Sequence, residues 1–421
     1  MKQKIFKVLA DLRFSIFILL IISFFSVLGT IIEQDQTLEV YKINYPMTNP
    51  IFGFLSWDRI IQFGLDHVYK TWWFIILIIL FGLSLTLCSF LQQLPLLKIS
   101  RRCQFFRTLN SFNKLKLSTY LNNFSFNQIL CRIKKQNYSI FQQKNIIYSY
   151  KGLLGQLSPI VVHFSMILIL FGTIVSSLFG FKAQEIVPKT DSFHIQNILN
   201  NGSFTIIPKN FARINDFWIT YTKKKTILQF YSDLSILDSK GNEIRRKTIS
   251  VNYPLINNGI YYYQTDWSLI GLRFQFSKNE IMEYPLVDIF QTQNKGWLTW
   301  ISINSNIKNG IILLIENLEG YGSIYNDNGL FIGNLELNEN GNFNESFSLL
   351  EIISSTGLQI KTDPGIPIIY LGFLFLMIST LISYITYSQI WIIKKNQQLF
   401  IGGVTNRATF EFDLEFFKFI K

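Results

Sequence analysis

The sequence predicts a multi-pass membrane protein with four transmembrane helices. A large, mainly antiparallel β domain, extracytoplasmic (lumenal), lies between helices 3 and 4. Three observations carry that expectation. Four apolar runs, 14–32, 72–91, 157–179 and 366–393, are each long enough, at about 1.5 Å per residue, to cross a hydrocarbon core of about 30 Å. A polar block over 181–364 alternates apolar and polar residues with the period of a strand. A basic stretch over 92–152 contains no Asp or Glu and orients the rest. Composition agrees, because 49% hydrophobic against 16% charged residues is too apolar for an ordinary soluble chain of 421 residues.

The elements follow in order. The inner N-terminus, 1–13, carries Lys2, Lys4, Lys7 and Arg13 ahead of the first span, 14–32. That run ends in GTIIEQDQ and not at a small-residue cleavage site, so it is a retained span, not a signal peptide. The outer loop, 33–71, has mixed charge, a turn-rich stretch at 45–50, and a short interfacial helix expected over 51–64. His67 closes this loop and reads as an interfacial polar residue. The second span, 72–91, opens with Trp72 and Trp73, placed for the headgroup belt.

The inner loop, 92–156, is basic and sprinkled with aromatics. Such a stretch is compatible with nucleic acid, but between two spans it reads as a positive-inside signal, and no nucleic-acid partner is expected. Within it, 138–150 reads as a strand hairpin. The third span is 157–179. The outer β-rich domain, 180–365, shows strand patterns at 227–237, 243–251, 260–265, 271–276, 297–303 and 311–316, with a turn cluster at 238–242. It holds no cysteine, and its one histidine, His194, reads as a solvated residue beside a surface loop. The fourth span, 366–393, is followed at once by Lys394 and Lys395, which place the inner tail, 394–421, on the side of the basic loop. Both termini are therefore expected inside. Cys88, Cys103 and Cys131 lack metal-site spacing, and no hydrolase triad, P-loop or dinucleotide fingerprint occurs. Abundant Ile, Phe, Asn and Lys with scarce Ala indicate AT-rich coding, as in an organelle genome.

The third span holds one titratable side chain, His163. An ionisable residue in a membrane must find a partner or stay neutral, which marks it as a functional candidate. Gly172, Ser176 and Gly180 form a small-residue stripe suited to close helix packing. At about 100° per residue, His163 points away from that stripe, with Ile167, Leu170 and Ile174 as face-mates. The residues alone leave two roles open, a hydrogen-bonded structural histidine or a ligand.

GLDHVYKTWWF before the second span, Cys88 late in it, and SPIVVHFSMILILFGTIVSSLFGFKAQE across the third resemble the ResB/CcsB proteins of system II cytochrome c biogenesis. VNYPLINNGIYYYQTDW in the β domain is similar to the plastid and cyanobacterial branch. So are STGLQIKTDPGIPIIYLGFLFLMISTLISY, SQIW and GGVTNRA, in the same order. That branch often carries histidine just before Ser-Gln-Ile-Trp, where this chain has Tyr387. The resemblance implies a subunit of a cytochrome c synthetase complex without a catalytic motif of its own. It implies a CcsA-type haem-handling membrane partner, transiently bound haem, and apocytochromes c as clients on the lumenal side. It matches His163 to the axial haem ligand of the family, with His67, Trp72 and Trp73 as accessory candidates. The implied location is the thylakoid membrane of a plastid, with stromal termini, or else a cyanobacterial or bacterial inner membrane. The alternative reading is a membrane-anchored receptor or scaffold whose outer domain binds a partner and no haem. A solute transporter is disfavoured, since no span carries a carboxylate and no inverted repeat is visible.

Overall fold

The computed structural model describes residues 2–48, 50, 55–122, 125–223, 226–276, 280–290, 295–302, 310–315, 317–318, 321–337, 340–343, 345–395 and 398–420. It divides into two compact units, Met1–Ser177 with Gly365–Lys421, and Leu178–Pro364.

The first unit is built on four helices apolar enough to span a membrane: Leu12–Ile31, Trp72–Ser100, Leu154–Phe179 and Ile366–Ser383. Two of them begin at a marked start signal. Asp11 caps the first by accepting from Arg13 N, and Pro367 sits in the first turn of the fourth. Successive helices run antiparallel and touch through small or polar residues. Ser15 Oγ lies 2.7 Å from Ser84 Oγ between the first and second. Leu170 of the third packs beside Gly82 of the second.

Between the third and fourth spans, small residues recur every seven positions. Ser158, Ser165 and Gly172 are buried on one helix, and Gly372 and Ser379 on the other. Ser158 Oγ donates to Ser379 O at 2.7 Å, and Gly172 lies against Ile369 and Gly365. Apolar side chains gain nothing by leaving lipid for one another, so close backbone approach and hydrogen bonds must hold such a seam. The expected stripe thus does pack a helix through Gly172 and Ser176. Gly180, however, lies past the helix end at Phe179, and the seam continues instead through Ser165 and Ser158.

The described residues of 33–71 form a cap over one end of the first and second helices, with Ile32, Tyr41, Ile60, Val68 and Phe74 buried together. Gln34 ties it down, donating to Leu65 O at 2.9 Å and accepting from Val68 N at 3.0 Å. The short helix expected over 51–64 is the six-residue Trp57–Gln62; 51–54 lie outside the described residues, as does position 49 of the 45–50 turn.

Two boundaries differ from the sequence reading. The fourth span was expected to reach residue 393, but its helix ends at Ser383, and Ser388–Lys395 is a β-strand. The apolar run of 28 positions exceeds the roughly 20 that a bilayer needs, and hydropathy alone cannot tell a helix from a strand buried on both faces. The basic loop and the tail are also not separate segments. Strands Leu117–Asn122, Gln398–Thr405, Ser388–Lys395, Ile146–Lys151 and Ser139–Gln143 form, in that order, one antiparallel five-stranded sheet. Helices Phe126–Lys135 and Thr409–Ile420 cover it, burying Ile129, Ile133, Ile390, Ile392, Phe412 and Phe416. The hairpin expected over 138–150 is present within it. The second helix also outruns its expected end at 91, continuing through a π turn, Ser89–Gln93, to Ser100.

The second unit is antiparallel β throughout its strands. Its axis is a pair of long strands, Ile260–Phe276 and Glu345–Thr362, joined through three register shifts. The runs at 260–265 and 271–276, expected as two strands, are halves of the first of these. The other expected strands appear as Ile227–Leu237, Glu243–Ser250, Lys295–Ser302 and Gly310–Ile315; positions 303 and 316 lie outside the described residues. Two apolar cores fill it, one around Trp267, Phe274 and Trp297, the other around Ile214, Leu234 and Leu358.

Candidate functional site

His163 faces the second helix, where the expected face-mates Ile167 and Leu170 pack with Phe81 and Leu85. The imidazole is half-buried and meets the π turn at two points. Ser89 Oγ lies 3.0 Å from Nδ1, and Gln93 Nε2 lies 3.1 Å from Nε2 and 3.3 Å from Nδ1. A π turn carries one extra residue per turn, which brings Ser89 and Gln93 onto the same imidazole; such turns recur at functional sites.

We assign the tautomer from the hydrogen-bond network. Ser89 Oγ donates to Leu85 O at 2.8 Å, so its lone pair is left to accept from Nδ1–H. Nε2 is then the ring's acceptor nitrogen, while Gln93 Nε2, almost equidistant from the two ring nitrogens, lies over the face of the imidazole. That is the arrangement of a metal-ligating histidine, one nitrogen held by a neighbour and the other aimed outward. Gln93 Oε1 is buried without a hydrogen-bond partner among the described residues, so its amide is only half satisfied where it sits. Among the described residues no group of three or more His, Cys, Asp or Glu side chains could hold a bare ion. A single imidazole fits an iron that brings four equatorial ligands of its own, as in haem.

The other candidates lie elsewhere. His67 pairs with Asp66 at 2.9 Å, just before the second helix begins. Trp72 is exposed, and Trp73 packs on Phe25 with ring centroids 4.6 Å apart. Ser89 is seventeen residues along the helix from Trp72, about 26 Å of rise, so these three residues share no site with His163. Cys88 touches Gln92, with Sγ 3.8 Å from Oε1; Cys103 and Cys131 are exposed. In the second unit His194 is exposed beside Gln196, as expected of a solvated residue.

Tyr387 is buried at the first strand after the fourth span and donates to Ser100 O at 3.0 Å. Gln389 Nε2 reaches its hydroxyl at 2.9 Å and that of Tyr148 at 2.7 Å. It is a hub between the second helix and the small sheet. Ser89 and Gln93 are the residues that sequence reasoning missed. The available signal was polar side chains at four-residue spacing, SFLQQ, at the end of an apolar run.

The model of the ResB-like family matches residues 12–341 and 320–417. The cytochrome c biogenesis protein Ccs1 of Phaeodactylum tricornutum is 71% identical over 421 residues, covering 100% of both chains. That of Thalassiosira pseudonana is 66% identical, again covering 100% of both. The cytochrome c biogenesis protein CcsB of the cyanobacterium Picosynechococcus is 41% identical over 98% of this chain and 90% of its own. Both by family model and by relatives alike along their full length, the chain belongs to the ResB-like family.

Proposed function

We propose that this chain is a c-type cytochrome biogenesis factor that, with a haem-handling membrane partner of the CcsA type, carries haem across the membrane and presents it to apocytochrome c. The observation that supports this best is the imidazole of His163, held by Ser89 through Nδ1, with the half-satisfied amide of Gln93 lying over the ring. In this reading His163 would hold the haem through its iron, and the haem would supply the vinyl groups to which the client's thiols add, a step with no net change of oxidation state. Ser89 fixes the ring and its tautomer. A neutral imidazole avoids the cost of a buried charge in the span.

The second unit is then the lumenal platform on which the apocytochrome docks. The acid-free basic stretch, Lys394 and Lys395 support stromal termini, and AT-rich coding together with diatom relatives supports a thylakoid location. The test is co-purification. The full-length chain isolated with its partner should carry haem with a Soret band; a complex that is haem-free under every loading condition rules the reading out.

A further inference from the structure

One heptad along each helix from His163, the same antiparallel register is repeated at a cleft of about 250 Å³. His163 sits against Ser89 and Gln93; seven residues earlier on the third span Gln156 stands against Leu96 and Ser100, seven residues beyond them on the second. Seven positions is two turns, so Gln156 and His163 share a helix face about 10 Å apart along the axis. The small sheet borders the cleft through Gln389, Val404 and Thr405, with Tyr387 and Asn406 just beyond the strand ends. Its walls have a definite chemistry. Among the described residues no Asp, Glu, Lys or Arg lines it. Leu96, Ile99 and Val404 give it an apolar side. Asn406 Oδ1 accepts from Tyr387 N at 3.0 Å, while the Asn406 Nδ2 amide and the Gln156 side chain have no hydrogen bond among the described residues. Two free amide donors beside an apolar wall suit a carboxylate carried on a large apolar body, and they lack the charges that would hold a free cation or phosphate.

We propose that this cleft receives the propionate edge of the haem whose iron His163 binds. This rests on the reading of His163 given above. About 10 Å matches the reach from a haem iron to the carboxylates of its propionate arms. The orientation also follows from the attachment chemistry. Thioether bonds form at the vinyl edge, on the other side of the macrocycle, so haem held by its propionates at the end of the span nearest the small sheet advances vinyl edge first. Gln156 and Asn406 are positioning residues here and touch no reacting atom.

The experiment titrates the full-length chain, co-purified with its partner, with haem and with haem dimethyl ester, which keeps the iron and vinyls but removes both carboxylates. The variants are Gln156→Met, similar in size and helix-compatible, and Asn406→Asp, which keeps the acceptor for Tyr387 N while replacing the donor by a negative charge. Each should weaken haem binding about tenfold or more and leave ester binding unchanged, with the wild type preferring haem by a similar factor. Equal loss for both ligands, or no loss for either, overturns the proposal; equal loss would be the signature of a cleft that holds a lipid or serves only structure. His163→Ala separates the two layers. If it keeps the full wild-type Soret band, the underlying reading fails. If it loses that band while the cleft variants do not discriminate, only the propionate site fails.

Discussion

At the scale of single residues, the site depends on which nitrogen of His163 carries the proton. The chain from Leu85 O through Ser89 Oγ to Nδ1 makes that choice, so Ser89 is expected to act on haem without touching it. Ser89→Ala should weaken haem binding about 10- to 100-fold, the usual consequence of losing a partner that orients a metal-ligating histidine. Haem titration of the purified complex reads this directly, and unchanged affinity would mean that the tautomer is set elsewhere. A second residue-scale expectation concerns alkali. Burial raises the phenol of Tyr387, as does its hydrogen bond with Tyr148; burial, then nearby Glu415, raises that of Tyr138. Both favour the neutral form in the fold. Their stabilisation is complete below the ordinary tyrosine value of about 10 and is lost as pH rises above it, because the unfolded chain ionises first. Tyrosinate absorbance should therefore rise together with loss of the small sheet, and Tyr387→Phe should reduce the pH dependence. Ionisation of both phenols with the sheet intact would contradict this.

At the scale of elements, the seam between the third and fourth spans makes a steep prediction. A Cβ on Gly372 would stand 2.6 Å from Ile169 Cγ1, 3.1 Å from Ile169 N and 3.2 Å from Ser165 O. Side chains can yield but the backbone cannot, so Gly372→Leu should cost about 1–3 kcal/mol or more and lower accumulation and thermal stability in detergent. A leucine variant as stable as wild type would show that the helices do not meet there. The same elements show what the sequence made legible. All four spans, the Gly172 seam and the position of His163 opposite it were readable, because hydropathy and helical period act locally. The strand Ser388–Lys395 was not, because its alternation is hidden by burial on both faces, with Ile390, Trp391 and Ile392 all buried. The five-stranded sheet pairs residues 146–151 with 388–393, and nothing in either segment alone names the other. The π turn was illegible for a related reason. One extra residue in a turn leaves no mark on hydropathy, yet it sets what His163 touches.

At the scale of the whole molecule, the account predicts sidedness. A reporter inserted after Lys135, in the small sheet domain, should be accessible from the stroma, and one at Asn242, in the large β unit, from the lumen. Protease protection that placed both on one side would end the four-span topology with its lumenal platform. In the function proposed above, activity at this scale rests on one bond between His163 and haem iron. His163→Ala removes that bond and little volume, so the variant should insert and associate with its partner. The decisive measurement is the c-type cytochrome yield and Soret spectrum of that variant, at protein levels matched to wild type, with and without added imidazole. The account predicts loss of assembly and an altered Soret band that imidazole restores by filling the vacant coordination position. Normal cytochrome assembly and an unaltered Soret band in the alanine variant would contradict it.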